Sequence, residues 1–140
     1  MYNEADPGRK RQSSMDKNER RAYCLSVAQT IFKQLFWSVT PSVVLSWGIS
    51  ERTACWYKEM ASLRMKVNGM VHKGYVMVSY DEGLDLYQLF LMNANHEVVK
   101  EMADICADEL GQRIDEEIEK PLAVTDAEYR AGIFREAVAV

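Results

Sequence analysis

The chain has 140 residues, 48% of them hydrophobic and 27% charged, a composition that belongs to one soluble globular domain and argues against several domains or an unfolded polymer. Its formal net charge of -4 gives no general attraction for nucleic acid, and no run approaches the ~18 apolar residues of a membrane span. Three widely spaced cysteines, Cys24, Cys55 and Cys106, argue against a disulfide framework and fit a reducing compartment, so the expected location is cytoplasmic.

Residues 1–14, "MYNEADPGRKRQSS", are polar and without period, and are expected to be a flexible leader to a single α+β domain spanning 15–140. The early cations Arg9, Lys10, Arg11, Lys17, Arg20 and Arg21 are diluted by Glu4, Asp6, Asp16 and Glu19, which makes a solvated tail the simpler account of them. Structure is predicted to begin near Met15. Asp16 is placed as an N-cap with Glu19 three residues on, and Ala22, Leu25, Ala28, Ile31, Phe32, Leu35, Phe36 and Val39 recur at intervals of three and four. This is an amphipathic helix, and Thr40-Pro41 ends it because the residue before proline is pushed out of helical geometry.

From Ser42 the period changes. In "SVVLSWGIS" Val43, Leu45, Trp47 and Ile49 alternate with Val44, Ser46 and Gly48, which predicts a strand, whereas "ERTACWYKEM" fits either a short helix or an irregular connection. Leu63, Met65 and Val67 alternate with Arg64 and Lys66, and Asn68-Gly69 then signals a short hairpin. The stretch from Gly74 to Met92 reads as two strands, apolar on both faces, joined by the acidic turn Asp81-Glu82-Gly83-Leu84-Asp85. After the turn signal Asn93 to His96, "EVVKEM" is either a fifth strand preceding a helix capped by Asp104, or the start of one helix from His96 to Lys120. Gly111 costs about 1 kcal/mol against alanine in either helix. Thr125 and Glu128 form a capping box for a terminal helix. The expected fold is α+β: an N-terminal helix, an antiparallel meander of four to five strands, and a C-terminal helix or helices.

No catalytic constellation stands out. Asp81, Glu82 and Asp85 are too few for the six to eight oxygens of a calcium site, and hairpin chemistry already accounts for them. His72 and His96 have neither each other nor a cysteine at metal-ligand spacing, so no metal and no cofactor are expected. No GxGxxG or GxxxxGK[ST] phosphate loop occurs. A small enzyme would have to use His72 as a base or Cys55, beside Trp56 and Lys58, as a nucleophile, without a visible second group.

Two binding modes follow from the strands. Arg64, Lys66 and Lys73 with Tyr75 and Tyr87 could offer a basic and aromatic sheet face to single-stranded nucleic acid, a weak signal in an acidic domain without an RNP-like segment. The favoured expectation is a non-enzymatic protein-interaction module, a homodimer or other homo-oligomer, with a further protein partner also compatible. Tyr75, Met77, Tyr87, Leu89 and Leu91 are predicted to form its interface on the sheet face that the first helix leaves open.

Overall fold

The computed structural model of the chain describes residues 15–119; the leader at 1–14 and the helix predicted after Thr125 lie outside them. Asp16 Oδ1 accepts the backbone N–H of Glu19 at 2.7 Å, so helix α1 (Lys17–Ser38) starts where the capping box places it. Cys24, Ala28, Ile31 and Leu35, at i, i+4, i+7 and i+11, are its buried stripe.

The strand expected over 42–50 is instead a short helix, α2 (Pro41–Ser46). Proline at the first helical position has a suitable φ and lacks an N–H that would have had no partner there. Val44 and Trp47, three residues apart, then turn into the core, while Leu45 is left 75% exposed. The ambiguous segment that follows is the first strand, β1 (Glu51–Tyr57).

Strands β2 (Met60–Asn68), β3 (Lys73–Asp81), β4 (Leu86–Met92) and β5 (Val98–Ile105) complete a five-stranded antiparallel sheet in chain order, and α3 (Leu110–Ile118) closes the described structure. The α+β meander is therefore as predicted, with five strands rather than four and with 98–105 extended rather than helical. Asp104, predicted as a helix cap, lies inside β5 at a φ of 59°, and the helix starts six residues later.

The tight hairpin is at an unexpected place. Lys58 and Glu59, between β1 and β2, have φ of 50° and 61°, the two consecutive positive values that a two-residue turn of primed type requires. Asn68-Gly69 opens a longer connection to β3, and neither residue has a positive φ. Gly69 is small for another reason: a Cβ there would run into the carbonyl oxygen of Ile118. That oxygen also accepts from Val71 N at 2.9 Å and His72 N at 3.3 Å, which ties the end of α3 to the β2–β3 turn.

Both α1 and α3 lie on one face of the sheet. Leu63, Met65 and Val67 of β2, Val76 and Val78 of β3, Tyr87, Leu89 and Leu91 of β4 and Ile105 of β5 meet Ile31 and Leu35 of α1 and Ile114 and Ile118 of α3 in the main core. Trp47 plugs the end of this core, fully buried, with its Nε1 donating to Asp115 Oδ1 at 3.0 Å. No helix among the described residues is long and apolar enough to cross a membrane.

Candidate interaction surface

The predicted interface residues fall on opposite faces of the sheet. In the β3–β4 ladder Tyr75 pairs with Met92, Val76 with Leu91, Met77 with Phe90 and Val78 with Leu89, so an odd-numbered residue of β3 always shares its face with an even-numbered residue of β4. Four turn residues, 82–85, separate the two strands, and an even loop produces this swap of parity. Tyr87, Leu89 and Leu91 are thereby in the main core under the helices, with Leu89 0% exposed and the Tyr87 hydroxyl donating to Gln34 Oε1. Burial pushes the Tyr87 phenol above its usual range.

Tyr75 and Met77 are on the second face, where Met77, Phe90 and Met92 form a smaller apolar cluster with Cys55, Tyr57 and Met60 packed against it. These three are 2–4% exposed. The Lys58 ammonium lies 4.9 Å from the Phe90 ring centroid. Ser62 and Ser79, directly paired across β2 and β3, share a buried hydrogen bond of 2.7 Å. On the second face Met77, Phe90 and Met92 are therefore buried, while Cys55, Tyr57, Met60 and Tyr75 around them are half-buried.

Of the basic and aromatic set, Arg64, Lys66 and Tyr75 share that second face, with Lys66 directly opposite Tyr75. Lys73 turns back to donate to the Gly69 carbonyl at 2.8 Å. The Tyr75 ring is stacked on the His96 imidazole at 4.2 Å and has the Arg64 guanidinium 5.5 Å from its centroid. With Tyr75 engaged by these neighbours and Tyr87 buried on the other face, the two rings do not form the pair of free stacking platforms that single-strand binding uses.

The candidate chemical groups are also separated. His72 Nε2 is 3.2 Å from the Tyr75 carbonyl oxygen, in the β2–β3 turn. Cys55 is opposite Ser62, six residues along β2 from Asn68 and so about 20 Å from that turn at ~3.4 Å per residue. The Cys55 Sγ contacts Met77 Sδ at 3.4 Å, and burial outweighs the nearby Arg64 to raise its pKa, keeping it a thiol. In the acidic turn, Asp81 Oδ1 accepts from Leu84 N at 3.2 Å, Asp85 Oδ1 from Tyr80 Oη at 2.6 Å, and Glu82 Oε2 from Tyr23 Oη at 2.8 Å. With Gln88 Nε2 also donating to Asp81 Oδ2 at 3.4 Å, the three carboxylates serve four different donors, as a structural corner does. Cys106, Asp108 and Glu109 bring ligand atoms within 4.8 Å of one another after β5, but all three are exposed and supply fewer than the four donors that zinc takes.

Exposed hydrophobics are scattered, Trp37, Val71, Leu84, Val98 and Val99 among them, but Leu25 and Leu45 flank a groove at the β1 edge. Strand β1 is an edge, and among the described residues no strand pairs with its outer side. One residue round α1 from its buried stripe runs a second stripe, Leu25, Gln29, Phe32 and Phe36, at the same spacing. It overhangs that edge. Leu25 is 51% exposed, and Phe32 and Phe36 are half-buried. Between this stripe and Arg52 and Ala54 of β1 is a groove of about 480 Å³, extended past Phe32 by a second of about 400 Å³ that reaches Leu45 and Ile49. The Arg52 guanidinium stacks 4.3 Å from the centroid of Phe32 and joins the two. The wide apolar arc of α1 is the signal in the sequence that points here.

No protein-family model, curated protein or solved structure matches the chain.

Proposed function

We propose that this protein is a non-catalytic interaction module that associates with itself, and that the groove between α1 and the edge strand β1 is its docking surface. The observation that carries this reading is the coincidence of a strand edge that has no partner strand among the described residues with a partly apolar groove above it, in two adjoining parts that share Phe32 and Arg52. An edge offers a row of backbone donors and acceptors, and natural sheets usually blunt such rows with charge, bulges or a covering element. The opposite edge is more blunted: although Val98 and Val99 are exposed there, β5 carries Lys100 and Glu101, has register shifts against β4, and has the Lys100 ammonium held 2.8 Å from Glu117. β1 has no irregularity in its seven-residue register with β2, and its exposed charges, Glu51 and Arg52, are confined to one end. Fully covering the exposed parts of Leu25 and Leu45 is worth about 2 and about 3 kcal/mol respectively, on the scale of ~25 cal/mol per Å².

Sedimentation velocity into the high-micromolar range tests the reading, with Leu25→Asp as the comparison. Because Leu25 is half exposed, the variant should keep its circular dichroism and melting temperature. The wild type is expected at twice the chain mass and the variant at the chain mass. A monomeric wild type, or a dimer indifferent to Leu25→Asp, would overturn the proposal.

A further inference from the structure

The geometry points to a specific partner arrangement, and this inference rests on the self-association just proposed: we infer that a second copy joins β1 to β1, antiparallel about a twofold axis perpendicular to the sheet, giving one continuous ten-stranded sheet. Three observations converge on it.

The first is spacing. Helix α1 packs on β1 and β2 together, so its axis lies over the space between them. Neighbouring strands are about 4.8 Å apart, which puts the axis ~2.4 Å inside β1. A β1–β1 pair has its twofold axis another ~2.4 Å outside β1. The two α1 helices then run antiparallel about 10 Å apart, at the upper end of the ~8–10 Å at which helices ordinarily pack. A single added peptide strand would pair with the edge but leave the overhanging stripe of Leu25, Phe32 and Phe36 without a helix to meet. A second copy supplies the strand and the helix at once.

The second is register. Centring the pair on Ala54 uses all seven residues of β1, pairing Glu51 with Tyr57, Arg52 with Trp56 and Thr53 with Cys55 of the other copy. It puts the smallest side chain of the strand on the axis beneath the two helices. It also sets Arg52 across from the partner's Trp56, a contact of the type that Arg20 already makes with Trp56 at 4.8 Å within one chain.

The third is extent. A seven-residue strand is about 24 Å long, and a helix on a sheet is roughly 20 Å deep, so the footprint is within a factor of two of the ~800 Å² per partner that stable complexes bury. The cost is electrostatic. Lys33 and Arg52 of both copies approach the axis, so association should strengthen, not weaken, as salt is raised.

The experiment is a disulfide trap. Thr53 is exposed and, in this register, directly opposite Cys55 of the other copy, at the Cα separation of ~4.5–5.5 Å that antiparallel pairs have and disulfides accept. Thr53→Cys under mild oxidation should give a covalent dimer on non-reducing gels, abolished by adding Cys55→Ser and retained when Cys106→Ser is added. Within one chain, residues 53 and 55 are two apart on the same strand and too widely spaced to bridge, so the product reports the interface. A dimer that dissociates with Leu25→Asp but does not cross-link between 53 and 55 would overturn the strand pairing while leaving the groove as docking surface. A dimer weakened by salt to a tenth of its association constant would overturn this arrangement, and a monomer would overturn it together with its second-copy occupant.

Discussion

Replacing Gly111 by alanine sets two effects of opposite sign against each other, and the structure decides between them. Gly111 is the second residue of α3 and is buried against the end of α1. Helix propensity alone favours alanine by about 1 kcal/mol. An added Cβ, however, would run into Ser38 Oγ and stand 3.0 and 3.1 Å from the two methyls of Val39, tighter than ordinary van der Waals contact. Overpacking of this kind costs about 1–3 kcal/mol. The Gly111 N–H also donates to Ser38 Oγ at 3.0 Å, an inter-helix cap whose loss costs about 1 kcal/mol. The net expectation is a loss of about 1–3 kcal/mol, opposite in sign to the propensity argument. Urea denaturation read by tryptophan fluorescence measures it. A double-mutant cycle supplies the control: Ser38→Ala alone should destabilise by about 1 kcal/mol, but in the Gly111→Ala background it removes the obstructing oxygen and should cost less or restore stability. Gly111→Ala stabilising the protein, or strict additivity with Ser38→Ala, would refute the account of the α1–α3 contact.

At the β1–β2 turn, Glu59→Gly should stabilise by about 0.5–1 kcal/mol, because glycine accepts the φ of 61° without the Cβ strain of glutamate; a lower urea midpoint would count against the primed turn. Stability should fall as pH rises past about 9, since Cys24 and Cys55 by burial, Tyr80 through its hydrogen bond to Asp85, and Tyr87 by burial all ionise at higher pH folded than unfolded. The contribution is complete below the unfolded values and is lost above them. Tyr80→Phe should therefore flatten the decline above about pH 10, and a urea midpoint that rises with pH over this window would contradict the assignment.

What could be read from the sequence was whatever depends on local chemistry. Asp16 and Glu19 mark the start of α1 because a cap is satisfied within four residues, and Asp81 and Asp85 of the acidic corner bond their own turn and near neighbours, whereas Glu82 is held by Tyr23 of α1. Asn68-Gly69 misled for the reason that Gly111 looked only like a helix-weakening glycine. Each glycine is explained by an approach of distant backbone or side chain, from α3 in one case and α1 in the other, that local sequence does not show. The Lys58-Glu59 hairpin has no signature because its positive φ values are imposed by the pairing of Tyr57 with Met60, against local preference. The predicted interface was divided by one integer. An odd loop between β3 and β4 would put Tyr75 beside Leu89 and Leu91, whereas the four residues 82–85 put them on opposite faces.

The edge-strand groove was hidden for a further reason, since the segment that became β1 had no assigned structure and so no strand order could be drawn. Its trace was nonetheless present in α1. Ala28, Ile31 and Leu35 together with Leu25, Phe32 and Phe36 make an apolar arc wider than the ~100° stripe with which a surface helix meets one core. The sheet uses the part centred on Ile31 and leaves the part centred on Phe32 half-buried beside a strand whose outer edge has no partner strand among the described residues. A helix with apolar residues beyond what its own sheet can cover, placed over an edge whose register is unblunted, has the two features a partner of the same construction would complete. The excess arc and the bare edge are therefore better understood as two halves of one surface than as separate imperfections of a monomer.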